Sequence, residues 1–148
     1  MRPVVTAGAG FLVAVIWFDL MFDVQVLRHR RGPVPETVLA SIAGYYRRVT
    51  TDARPMNRLV AAAMVVTFVA LVVELAGDEV VDWIAALSLA LAASAMGLAG
   101  ARTVQHAVRL GARADPPDVQ ATLARSICAD HLYCLGAMAM VLVLQLAA

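Results

Sequence analysis

Four stretches of the chain are almost unbroken in apolar character: Val4 to about Leu27, Leu59 to Ala76, Trp83 to Ala101 and Ala129 to Ala148. Each is close to the ~20 residues that carry a helix across ~30 Å of hydrocarbon. None shows the period-two alternation of an outer-membrane barrel strand, and in lipid a helix is the open structure that pairs its own backbone groups. The expected fold is therefore all-α: an integral membrane four-helix bundle, residues 1–148 forming a single transmembrane domain with spans near 4–27, 59–76, 83–101 and 129–148.

The connections carry their own pattern. From Glu36 to about Val49 the apolar positions Val38, Leu39, Ile42, Tyr45, Tyr46 and Val49 recur at helical spacing between Pro35 and Pro55. This predicts an additional amphipathic helix over 36–49, cytoplasmic and interfacial, with its stripe on lipid head groups. Further on, Asp115-Pro116-Pro117-Asp118 predicts a turn in which Asp115 caps a long last helix that starts near Pro117 and runs through Arg125 into the fourth span. Small residues at three- and four-residue spacings (Ala86, Ala90, Ala93, Ser94, Gly97, Gly100 and Ala101) make the third span the expected closely packed centre, and Gly10 and Ala14 give the first span a shorter version of the same device. Trp83 is expected to anchor a span at the interface, and Trp17, deeper, to pack.

Composition and charge add orientation. The chain is 61% hydrophobic and 16% charged, and its net charge of +1 excludes a simple basic nucleic-acid binder. Every basic residue is an arginine, and all but Arg2 fall in the two long connections, whereas the short one carries Asp78, Glu79 and Asp82. The positive-inside bias then places both long loops in the cytoplasm and both termini outside the cell membrane. The Arg28, Arg30 and Arg31 cluster follows the first span rather than preceding it, so that span reads as a reverse signal anchor and not a cleaved signal peptide.

Depth singles out a few polar residues. Counting inward from either end of the chain leaves Asp19 inside the hydrocarbon, Asp23 at its inner edge, and Asp130 and His131 near the cytoplasmic boundary. Asp19 and Asp23 share a helix face, and a charge facing lipid costs about 2.5–3.5 kcal/mol, so both must face the bundle. There they share a proton, pair with Arg58, Arg102 or Arg125 as a packing ion pair, or bind a cation with His131. In the run Cys128 to Cys134, His131 lies three residues from each cysteine, so Asp19, Asp23, His131 and Cys128 form a candidate metal set. The plain reading of the cysteines is packing, and their separation of ~9 Å along one helix excludes an intrahelical disulfide. His106 and Arg102 are expected on a solvated face, Glu74 in outer water near Asp78, Glu79 and Asp82, and Gln145 in an interhelical hydrogen bond. There is no phosphate loop, nucleophile elbow or dinucleotide fingerprint, so no nucleotide or dinucleotide cofactor is indicated.

The plan of the chain, with Asn57 and Arg58 before the second span and Arg125 and His131 before the fourth, resembles the bacterial anthrone-oxygenase-like four-helix membrane proteins. The resemblance is one of layout and implies a cofactor-independent or metal-assisted oxidation of a lipophilic aromatic at the inner membrane face. It transfers no catalytic residue, and the Trp expected at the entry of the last helix is absent.

Three functions follow as expectations. The small-residue faces predict a small membrane protein that packs against itself or a larger membrane complex, with a polar pocket at the cytoplasmic leaflet. The deep polar residues predict instead a membrane-embedded oxidoreductase or oxygenase-like enzyme for a lipophilic substrate, with Asp19, Asp23, His131 and Arg125 in catalysis and Tyr45, Tyr46, Asn57 and Arg58 at the rim. A proton-coupled transporter subunit is the third.

Overall fold

The computed structural model describes residues 1–77 and 83–148; the expected acidic connection with Asp78, Glu79 and Asp82 lies outside the described residues. Helix α1 spans Arg2–Asp23 and tightens into a 3-10 turn, Val24–His29. Helix α2, Glu36–Arg47, leads through a π turn, Arg48–Asp52, to α3, Arg54–Gly77. Helix α4, Trp83–Leu98, passes through a second π turn, Ala99–Thr103, into α5, Val104–Ala112, and α6 runs from Pro117 to Ala147. Among the described residues four helices are long and apolar enough to cross a membrane: α1 with its 3-10 turn, α3, the α4–α5 rod and α6.

The long helices form a ring in which α1 packs on α6 and α3, and α4 packs on α3 and α6. Arg2 ties one end of the ring, its guanidinium donating to the Ala148 carbonyl at 2.6 Å and lying 3.4 Å from the Glu74 carboxylate. Glu74 is thus a nearly buried partner of Arg2, its side chain 7% exposed, and not a residue reaching into outer water. Within the ring Val5, Ala9, Leu12, Leu71, Ala92, Met138 and Val141 make one core cluster. The outward faces are also apolar, with Phe18, Met21, Val65, Val69 and Leu146 exposed, a surface compatible with a multi-pass membrane protein. Trp17 belongs to that outward face at 61% exposure, which corrects the expectation that it packs inside.

The most enclosed of the four is α6, not the small-residue α4. Ala85, Ala92 and Ala95 let α4 approach its neighbours, but such side chains supply little bulk, and Ile127, Met138 and Val141 of α6 fill the space between helices. Among the described residues nothing comes within 4 Å of the Cβ positions of Gly10, Gly97 or Gly100. The close approach of α1 to α3 is made instead by Gly8, whose missing Cβ would collide with the Thr67 hydroxyl.

A second core cluster lies at the other end, under α2 and α5. Leu39, Ile42, Ala43 and Tyr46 of α2 are buried there with Leu110, Ala124 and Ile127. The amphipathic stripe therefore packs on protein rather than on head groups, because α5 and α6 extend beyond the ring and offer it an apolar shelf. Glycine is required at position 111, where an added Cβ would stand 2.8 Å from the Arg47 backbone nitrogen. The cap at Asp115 is also different: its carboxylate takes both guanidinium contacts of Arg109, each 2.7 Å, and α6 starts from Pro116 with no side-chain cap. That pairing holds the Asp115 carboxyl below its ordinary value.

Replacing Gly111 by alanine should destabilise the chain by about 1–3 kcal/mol, seen as a lowered midpoint of thermal unfolding in detergent. Gly97→Ala, made where space is open, should stay within about 0.5 kcal/mol of the parent.

Candidate functional site

At the junction of the ring with α2, five polar side chains meet. Asp19 and Asp23 sit one turn apart on the inner face of α1, as their spacing requires, and α6 brings His131 opposite them. His131 Nδ1 lies 2.7 Å from Asp23 Oδ2, and the Tyr46 hydroxyl donates to Asp23 Oδ1 at 2.7 Å. The Asp23 carboxylate only accepts, so Nδ1 carries the imidazole proton and Nε2 is left with its lone pair when the ring is neutral. Tyr46 also passes 3.3 Å from Nδ1, but its proton is committed to Asp23. The Asp23 side chain is fully enclosed, and those of His131 and Asp19 are 12% and 16% exposed.

Asp19 has looser company. The Tyr45 hydroxyl donates to its Oδ1 at 2.5 Å, and Oδ2 stands 3.8 Å from His131 Nε2, too far for a hydrogen bond. Tyr45 is placed by stacking on Phe22, with ring centroids 4.1 Å apart and planes 9° from parallel. Burial and the nearby carboxylates push both phenols well above their ordinary value, so Tyr45 and Tyr46 remain hydrogen-bond donors throughout the physiological range.

Asp19, Tyr45, Tyr46 and His131 form one end of a cavity of about 360 Å³ between α1, α3, α4 and α6. The remaining wall is mostly apolar: Leu12, Val15 and Ile16 from α1, Val60 from α3, and four methionines, Met56, Met64, Met96 and Met138. Methionine is flexible and polarisable, so this wall can adapt to an irregular occupant. Both π turns border the cavity through Val49, Thr50, Ala99 and Thr103. Side chains take up backbone carbonyls around them, with Thr50 donating to Tyr46 O at 2.7 Å and Asn57 to Thr50 O at 3.1 Å.

Of the residues expected in the site, Asp19, Asp23, His131, Tyr45 and Tyr46 converge, and Asn57 stands on the cavity wall. Arg125 does not join them; its guanidinium donates to His29 O at 2.7 Å and Gly32 O at 2.5 Å, pinning the loop before α2. Gly32 adopts φ +130°, a conformation that L side chains rarely take. Arg58 is exposed and off the cavity wall, and Cys128 is buried in the apolar cluster beneath α2. Among the described residues neither carboxylate of α1 has the arginine partner that was one expectation: Asp23 is matched by Tyr46 and the imidazole, and Asp19 by Tyr45 at one oxygen. Among the described residues no three His, Cys, Asp or Glu side chains are arranged to hold one ion. Asp23 and His131 Nδ1 are spent on each other and Cys128 is turned into the apolar cluster, so the expected metal set does not assemble.

The partners of one deep carboxylate were not foreseen. Asp130, 1% exposed, is clamped by the Arg102 guanidinium at both oxygens and accepts from the Thr103 hydroxyl at 3.0 Å. Arg102 pairs with Asp130 of α6 while half of its own side chain stays exposed, in keeping with the expected outer face, and His106 is half-buried with an unpartnered Nδ1. The signal was present in the sequence: Asp130 adjoins His131, so it points about 100° away around α6, toward α4 rather than α1. Gln145 does make its expected interhelical contact, donating to Ser88 Oγ at 3.2 Å. No family model, curated protein or solved structure matches the chain.

Tyr46→Phe removes one donor from a fully buried carboxylate and should cost about 1–3 kcal/mol in unfolding free energy, more than Tyr45→Phe, whose partner borders the cavity. The raised phenols also set a pH dependence. Above the ordinary tyrosine value the unfolded chain ionises while the folded chain does not, so their contribution is complete below about pH 10 and is lost as pH rises further. The alkaline fall in unfolding midpoint should be shallower in Tyr46→Phe than in the parent.

Proposed function

We propose that the chain is a membrane-embedded enzyme of acid–base type that acts on a lipophilic small molecule held between its four long helices. The observation that carries this reading is the Tyr46–Asp23–His131 chain, which ends with His131 Nε2 at the polar end of an apolar cavity. Asp23 orients the imidazole and stabilises the charge it gains, Tyr46 fixes Asp23, and Nε2 is the general base. Asp19, which accepts from Tyr45, is the second acid–base group on the cavity wall, beside Nε2 but not bonded to it. Arg125 and Arg58 have no part in it.

The positive-inside distribution of arginine supports an inner-membrane topology with α2, α5 and the polar end of the cavity at the cytoplasmic leaflet and both termini outside. Packing against itself or a larger membrane complex is a second reading, favoured by one observation: the small-residue face of the α4–α5 rod at Gly97 and Gly100 has no neighbour among the described residues. Proton-coupled transport has less support, since the two carboxylates are tied to neighbouring side chains at one end of the cavity.

In lipid extracts of cells producing the parent or His131→Ala at equal level, a lipophilic metabolite should accumulate in the variant and be consumed when purified parent in nanodiscs is added. Identical extracts, with both proteins folded by thermal unfolding, would remove the enzyme reading. Gly97→Leu should leave the extract like the parent's and shift only the oligomer distribution in native electrophoresis.

A further inference from the structure

The charge inventory around the cavity narrows what it can hold. Among the described residues its wall includes the carboxylate of Asp19 and no guanidinium. Arg102 is taken by Asp130, and Arg125 by the carbonyls of His29 and Gly32. The groups that face Asp19 are Asp23 on its own helix, Tyr45 and Tyr46 from α2, and His131 from α6; α3 and the second π turn contribute to the wall only neutral side chains, Asn57 and Thr103 among them. One imidazole serves two carboxylates, and its close contact, 2.7 Å, is with Asp23. Among the described residues Asp19 Oδ2 is therefore left without a donor within hydrogen-bond reach, at the polar end of an apolar chamber.

We propose that the molecule this cavity takes is a lipophilic amine, bound as its cation with the ammonium against Asp19 Oδ2 and its hydrocarbon body among Leu12, Ile16, Met64 and Met138. The proposal rests on the reading of the cavity as a ligand site and names the chemical class of that ligand. A carboxylate or phosphate head would be buried beside two acids, and the one cation-forming group there, His131, is already held by Asp23, so its burial is costly. A neutral alcohol fills the hydrogen bond but leaves the charge of Asp19 unmatched. An ammonium does both.

Three probes of matched shape test this: 2-naphthylmethylamine, 2-naphthylmethanol and 2-naphthoate, each titrated near neutral pH into the full chain in phosphatidylcholine nanodiscs, with empty nanodiscs subtracted. The amine should bind at least about tenfold more tightly than the alcohol, and the naphthoate should not bind measurably. Asp19→Asn should bring the amine down to the level of the alcohol while leaving the alcohol within about threefold of the parent. If that variant does not fold, the ranking of the three probes on the parent chain decides. Naphthoate or alcohol binding as tightly as the amine would overturn the assignment while leaving the cavity a ligand site. Binding of none of the three above the empty-nanodisc background would remove the cavity reading itself, and this inference with it.

Discussion

A carboxylate with no access to water must be matched from within, and Asp23 imposes that demand on three separate helices at once. Its own helix α1 fixes where the charge lies, α6 must deliver an imidazole, and α2 must deliver a hydroxyl to the other oxygen. An unpaired charge in such a place is costly enough to change protonation state or unfold its surroundings, so the three elements hold their relative positions or lose the interaction together. The placement of α2 follows from this. It sits across the end of the ring because Tyr46 has to reach Asp23, and the apolar shelf of α5 and α6 supports it from behind. The close crossing at Gly111 brings α5 near enough to complete that shelf.

The molecule consequently has two mechanical regimes. Around Asp23 the hydrogen bonds are short, enclosed and mutually dependent, which favours one arrangement. A few ångströms away the cavity is lined by methionines and by residues whose opposite faces lie on the outer surface, such as Phe18 and Met56. A rigid polar end joined to a yielding apolar chamber suits recognition in which the reactive group is held strictly and the carbon skeleton loosely.

Much of this was legible in the sequence because deep charge in an apolar chain has few places to go. The spacing of Asp19 and Asp23 fixed a shared face, and the cost of exposing them to lipid fixed its direction inward. The start of the last helix near Pro117 and the periodic stripe of α2 were equally plain, since Pro and helical spacing act locally. What was not legible concerns pairing between elements. Arg102 and Arg125 were both plausible partners for the α1 acids, and only the rotation of α6 decides that Asp130 claims one and the loop carbonyls the other. Whether the stripe of α2 lay on lipid or on protein depended on how far α5 and α6 project, which no local pattern encodes. Trp17 and Gly10 failed for a related reason: on a helix that is apolar all round, composition does not tell which face looks inward.

The second π turn has a geometric meaning that extends beyond its five residues. Helical structure runs unbroken from Trp83 to Ala112, but one residue more than an α-helix needs is wound into Ala99–Thr103. That surplus residue is a phase offset of about 100° between the two halves of the rod. It lets the upper half turn Ala92 and Ala95 toward the ring while the lower half turns Ala107, Leu110 and Gly111 toward α2 and α6. The rod thus reads as two helices, an apolar upper one and an amphipathic lower one, set out of step on a common axis, and a single-residue deletion in this turn would realign them and point one half's packing face away from its partners.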